Sequence, residues 1–287
     1  MTMKVSLFST GFASYPLERT FQAAARCGYD GVDIGGFRPH AYAPDILGNV
    51  NGGAKRILAY VQKYQIPIVS YVPENTGSPH SFVYREKELN DISVEYFKSA
   101  IDAAAAIEAP LVMFAINMPG FGIDREALKS QVVEDLKILA DHAAKLGETV
   151  ILEPVTPFEG KLVCSADDVK YYLDAVDNEA LQVVLDLACP LTCGEPMSEY
   201  WEKMPGHIKE IHFIDAEPTC EDHLIPGDGA LDWPRVVSYL KRVGYDGYLA
   251  LELFSRYGNE PDFSAERGIE VIRDLIADSH VSTACNV

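Results

Sequence analysis

Short runs rich in β-branched and aliphatic residues recur along the chain, at residues 5–10, 32–36, 66–72, 111–117, 150–155, 183–187, 210–215 and 248–254. Most of these runs leave no polar face to water, which is the pattern of a strand buried on both sides in a parallel sheet. Between them, apolar residues fall at i, i+3, i+4 and i+7. This spacing predicts amphipathic helices over 16–27, 54–64, 88–107, 125–146, 166–176 and 233–243. Strand and helix therefore alternate from one end of the chain to the other.

An internal echo supports a repeated unit. Gly28-Tyr29-Asp30-Gly31 recurs as Gly244-Tyr245-Asp246-Gly247, each time between a helix pattern and a strand pattern. The first glycine of each copy is expected to end its helix in the left-handed conformation, and the second to open a strand. Eight strands over 287 residues give about 36 residues per βα module. The expected fold is α/β, a single (β/α)8 TIM barrel whose active site lies at the C-terminal ends of the strands. One domain is expected over 1–287, with a core from about 4 to 276 and a short C-terminal tail. An open doubly wound sheet is the alternative. It would normally carry a glycine fingerprint after its first strand, and Ser9-Thr10-Gly11-Phe12 is not one.

Composition narrows the function classes. The chain holds 24 Lys and Arg against 43 Asp and Glu, a net charge of −19. Nucleic-acid affinity rests largely on cationic side chains at phosphates, so no nucleic-acid partner is expected. The apolar runs fall short of the roughly 18 residues that a membrane span needs, so no membrane partner is expected either. The start, MTMKVSLFST, enters a strand pattern almost at once and predicts no secretory leader. The six cysteines, Cys27, Cys164, Cys189, Cys193, Cys220 and Cys285, show no CxxC spacing. Free thiols in a reducing cytoplasm are the expected state. A small-molecule substrate is the expected partner, and a homo-oligomer is left open.

Four successive strand patterns close on polar residues: VILE at Glu153, VVLD at Asp186, EIHF at His212 and LALE at Glu252. Singly, a strand-end acid is more often a helix cap or a salt-bridge partner, and a lone histidine a satisfied core group. Together they fall at one phase of the module on strands five to eight, spaced by 33, 26 and 40 residues. Their side chains can converge, and three converging carboxylates would repel one another. A divalent cation resolves that repulsion. Oxygen-rich ligation with one nitrogen suits manganese, magnesium or cobalt better than a thiolate-type zinc site.

These residues resemble the xylose-isomerase-like sugar isomerase and epimerase barrels, in particular the ketose 3-epimerases and, within them, the fructoselysine 3-epimerase branch. The resemblance rests on GGFRPHAYAPD (35–45), ILEPVTPFE (151–159), DHLIPGDG (222–229) and LELFSRYGNEP (251–261), and covers about residues 4 to 276. It implies a metal-dependent epimerase that inverts C3 of a ketose through a metal-held cis-enediolate, acting on a fructosyl-amine or another substituted or free ketose. Glu153, Asp186, His212 and Glu252 would be the metal ligands, with manganese placed first and cobalt, magnesium or nickel as alternatives. Glu153 and Glu252 would also be the catalytic acid and base. Glu159 matches a glutamate that contacts hydroxyls at the ketose end, and His223 stands where tagatose-type epimerases carry a substrate-binding arginine. Cys189 replaces a family histidine. Arg38 and His40 are expected to contact substrate, with bracing of their loop as the alternative. Glu74, His80 and Tyr257 are weaker candidates for the outer pocket. Aldose–ketose isomerisation and dehydration of the inosose-dehydratase kind need the same metal-held enediolate and remain alternatives. An apurinic endonuclease would want a histidine-rich cluster and a basic face. Here His142 falls in a helix pattern and His280 in the tail.

Overall fold

The alternation resolves into eight parallel strands that close on themselves. The computed structural model describes residues 3–77, 79–116, 124–220 and 222–278. The barrel strands are β1 (Lys4–Phe8), β2 (Gly31–Gly36), β3 (Ile68–Pro73), β4 (Leu111–Ala115), β5 (Thr149–Glu153), β6 (Leu181–Asp186), β7 (Ile208–His212) and β8 (Tyr248–Leu251). Each pairs with its chain neighbours, and β1 pairs with β8 to close the ring. The open-sheet alternative is thereby excluded. Outside the ring lie α1 (Glu18–Cys27), α2 (Gly53–Tyr64), α3 (Lys87–Ala106), α4 (Arg125–Leu146), α5 (Ala166–Val176), α6 (Ser198–Lys203), α7 (Trp233–Arg242) and α8 (Pro261–Ala277).

Local chemistry sets the boundaries. The helix terminator expected of the repeated Gly-Tyr-Asp-Gly is present in both copies, Gly28 at φ +81° and Gly244 at φ +70°. Gly31 opens β2, and Gly247 directly precedes β8. Helix α5 starts on a capping box in which Ser165 Oγ accepts from the Asp168 amide and Asp168 accepts from the Ser165 amide. Helix α4 starts on Asp124, whose carboxylate accepts from the amides of Glu126 and Ala127. The strand runs read from the sequence extend past most of the observed C-terminal ends. Thr10, Val155 and Phe254 lie beyond β1, β5 and β8, and Asn117 lies outside the described residues. Those extra positions belong to the loops that form the top of the barrel, where buried Val155 and the apolar but exposed Phe254 both continue the strand-like pattern.

The barrel interior is not uniformly apolar. Ser6, Asp33, Ser70 and Glu210 are fully buried on β1, β2, β3 and β7, with Ser70 Oγ donating to Asp33 Oδ1 at 2.9 Å. Glu210 stands two residues before His212 and shares its inward phase, one layer below it. Burial pushes both carboxyls above the usual range. Among the described residues no helix is long and apolar enough to cross a membrane, and five cysteines are free thiols. Cys285, His280 and the rest of the expected tail (279–287) lie outside the described residues.

A third buried acid ties α3 to α4. Asp135 is 4% exposed and accepts one hydrogen bond, 3.1 Å from Asn90 Nδ2, while its other oxygen has none. Burial pushes its carboxyl up to about 6. The stability that the neutral form confers is complete below about pH 4 and is lost as pH rises through about 6. Asp135→Asn should therefore raise the midpoint of thermal unfolding near pH 8, by an amount equivalent to about 1–3 kcal/mol. The gain should vanish below about pH 4, which melting curves at the two pH values would read out.

Candidate metal centre and substrate cleft

Strands β5, β6 and β7 end on Glu153, Asp186 and His212, and Glu252 directly follows β8. In register, Asp186 lies level with His212, and His212 with Ala250. Adjacent strands thus set Asp186 and His212 side by side, and Glu153 and Glu252 join them at the C-terminal mouth. Their ligand atoms all lie within 4.8 Å of one another, and none of the four residues is more than 8% exposed.

The arrangement fits a divalent cation. His212 Nδ1 sits 2.7 Å from Glu153 Oε1, 2.9 Å from Glu252 Oε2 and 3.9 Å from Asp186 Oδ2. None of these approaches has the direction of a hydrogen bond, and the other ring nitrogen, Nε2, has no partner among the described residues. Lone pairs that crowd one point without hydrogen-bonding one another are the geometry of ligands sharing an ion. Three carboxylates and one imidazole form the hard, oxygen-rich donor set of a magnesium- or manganese-type site.

Without an ion, protons must balance the charge. Burial, opposed by His212, pushes the Glu153 carboxyl up, and burial takes Asp186 up to about 7. Burial also disfavours the charged His212 ring, yet Glu252 and Glu153 outweigh it and hold the imidazole well above its usual value. Glu252 likewise feels burial, but His212 and His223 hold its carboxyl below the usual range.

A cleft of about 220 Å³ opens above these groups, lined by Glu153, Asp186 and Glu252 themselves. His223 and Glu159 also line it. His223 Nδ1 is 3.4 Å from Glu252 Oε2 and 3.1 Å from the Glu252 carbonyl, and its ring packs 4.0 Å from that of Phe254. Glu159 is exposed, and its Oε2 accepts from the Thr156 amide and hydroxyl at 3.3 and 3.4 Å. Arg38 and His40 are not among the lining residues. Arg38 makes a bidentate pair with Asp45 at 2.7 Å, and buried His40 is 2.7 Å from the Tyr15 carbonyl. Cys189 is buried beside the cleft, its thiol directed at the Pro154 carbonyl. Tyr257 accepts from the Ile225 amide, and His80 stacks on Tyr96 at 3.7 Å.

Other participants escape a search for charged strand ends. Phe8, Phe37 and Phe254 form aromatic walls of the cleft. Each stands at or within three residues of a strand's C-terminal end, the same phase that exposed the acids. Asp215 was read from the sequence as the end of a strand. It instead organises the loop after β7, accepting from the amides of Ala216, Gly227 and Leu231 and from Trp233 Nε1 at 2.7–3.1 Å. An antiparallel bridge from Asp215 to Leu224 folds that loop back and sets His223 over Glu252.

Comparison with known proteins agrees with this architecture. The sequence profile of the xylose isomerase-like TIM barrel family matches residues 21–275. Fructoselysine 3-epimerase of Shigella flexneri is 33% identical over 276 residues, covering 96% of this chain and 99% of the relative. A crystal structure of IolI protein with a bound zinc atom superposes with a TM-score of 0.82 at 18% identity, covering 98% of this chain and 100% of that one. D-Psicose 3-epimerase with D-tagatose from Clostridium cellulolyticum H10 superposes with a TM-score of 0.79 at 15% identity, over 96% and 99% of the two chains.

The site's charge state makes a direct expectation. Bound at 100 times its dissociation constant, a divalent ion such as Mn²⁺ adds about 2.7 kcal/mol and should raise the melting temperature by about 5 °C. Asp186→Ala should abolish most of that shift. Ions compete with the protons on Asp186 and His212, so the shift should be larger at about pH 8 than at about pH 6. Differential scanning calorimetry with and without the ion measures both effects.

Proposed function

Because the chain belongs to the xylose isomerase-like TIM barrel family, we propose that it is a divalent-metal-dependent sugar epimerase that inverts C3 of a ketose. The observation that carries the reading is the convergence of Glu153, Asp186, His212 and Glu252 within 4.8 Å at the floor of the cleft. The 33% identity to a fructoselysine 3-epimerase supports a substituted ketose of the fructosyl-amine kind as substrate. Manganese is our first choice of ion, with cobalt, magnesium and nickel behind it. The one domain, 1–287, would carry the whole site.

A cation held by the four residues would supply Lewis-acid polarisation of the ketose carbonyl. The chain's own residues supply the proton chemistry. Inversion at C3 needs a base on one face of the substrate and an acid on the other, since a single carboxylate would return the proton to the face it came from. Glu153 on β5 and Glu252 after β8 reach the cleft from separate strands and take these two roles. General acid–base catalysis of this kind contributes about 10²–10⁴-fold. His223, against Glu252, orients that carboxylate and faces the substrate hydroxyls. Glu159, above the ligands, holds hydroxyls at the ketose end. For Arg38 and His40 we favour the bracing role, because their polar contacts run to Asp45 and to the Tyr15 carbonyl.

Incubating the Mn²⁺-loaded enzyme with a ketose in D₂O and following the sugar by NMR tests the proposal. Deuterium should enter at C3 while the C3 epimer appears. Exchange at C1 with aldose formation would replace the reading with an isomerase. Glu252→Gln should lower kcat by about 10²-fold or more, and a variant that kept full activity would overturn the two-carboxylate scheme.

A further inference from the structure

We propose that Glu74 is the specificity-determining carboxylate of the cleft, selecting ketoses that carry a cationic amino substituent over neutral or anionic ones. The assignment rests on the reading of the cleft as a ketose site and adds to it the residue that chooses the substituent.

Glu74 directly follows β3 and lines the cleft. In a ring of eight strands β3 stands diametrically opposite β7, so Glu74 faces the metal ligands across the opening. A sugar held at the β5–β8 side and extending over the cleft meets this wall. The next residue, Asn75, is 2% exposed and uses both ends of its amide. Its Nδ2 donates to the Pro73 carbonyl at 2.7 Å, and its Oδ1 accepts from the Ala115 amide at 2.9 Å. The backbone on both sides of Glu74 is thereby pinned to the ends of β3 and β4, which positions the carboxylate before any ligand arrives.

That carboxylate is uncommitted. Glu74 is half-buried, and its side chain makes no hydrogen bond or ion pair among the described residues. Glu159, the other acid of the upper cleft, already accepts from Thr156. Among the described residues that line the cleft there is no lysine or arginine. The guanidinium groups of Arg38 and Arg256 pair with Asp45 and Asp222. A doubly charged ion on three carboxylates leaves one negative charge, and Glu74 and Glu159 add to it. The cleft's field therefore repels phosphorylated or carboxylated sugars and attracts an ammonium group. The faces of Phe8, Phe37 and Phe254 complement this choice, since aromatic rings attract cations.

The test is calorimetric binding of a matched pair to the Mn²⁺-loaded protein: an N-alkyl 1-amino-1-deoxyketose, cationic at neutral pH, and its neutral N-acetyl counterpart. The wild type should prefer the amine by about tenfold, the factor that ~1.4 kcal/mol confers, and the preference should weaken with added salt. Glu74→Gln should cut the affinity ratio several-fold, leaving the smaller preference that Glu159 and the metal site confer, while Glu74→Asp should retain most of it. An unchanged ratio in Glu74→Gln, an equal loss for both ligands, or no preference in the wild type would overturn the proposal. Deuterium exchange at C3 of a neutral ketose separates the two readings. A Glu74-dependent preference without that exchange would remove the epimerase reading and leave the charge assignment standing.

Discussion

Three carboxylates and an imidazole confined to one buried point govern the rest of this molecule. Each ionised carboxylate in such a space is costly alone, and three together cost more than their hydrogen bonds return. The few dedicated bonds are telling: Asp186 accepts from the Ala188 amide at 2.6 Å, while His212 has no well-directed partner. An ion that gathers all four converts mutual repulsion into coordination. Protons are the substitute in its absence, which is why the Asp186 carboxyl and the His212 ring are both held above their usual values.

The surrounding structure serves to hold that arrangement. Successive parallel strands bring the ligands together at the C-terminal mouth, and the loops above them are tied down by single polar residues. Asp215 gathers the loop that carries His223, and Asn75 locks the ends of β3 and β4 together. The polar layer of Ser6, Asp33, Ser70 and Glu210 lies under His212 within the barrel. In the proposed reaction, proton transfer at C3 would need groups on opposite faces of the substrate held within tenths of an ångström, a demand that such rigid tethering would meet.

Much of this was legible in the residues alone. Buried parallel strands announce themselves as apolar runs, and a polar ligand type closing four successive runs has few structural explanations. Helix periodicity alone placed α4 and α5 to the residue, and they end on Gly147 and Asp177 in the left-handed conformation. The loops were less legible because burial at the barrel mouth extends strand-like patterns beyond the last ladder bond, as at Val155 and Asp215. Arg38 and His40 illustrate a second limit. Their types suit substrate contact and bracing of the loop alike, and the contacts with Asp45 and the Tyr15 carbonyl that favour bracing are not encoded in sequence spacing. The aromatic walls were missed because a phenylalanine at a strand end resembles core.

The central claim is that these four residues hold one divalent ion. Anomalous diffraction from crystals of the Mn²⁺-loaded protein at the manganese edge addresses it directly. The account predicts one strong peak lying within about 2.0–2.4 Å of a side-chain atom from each of Glu153, Asp186, His212 and Glu252. An empty tetrad, or a peak held by other residues, would contradict it.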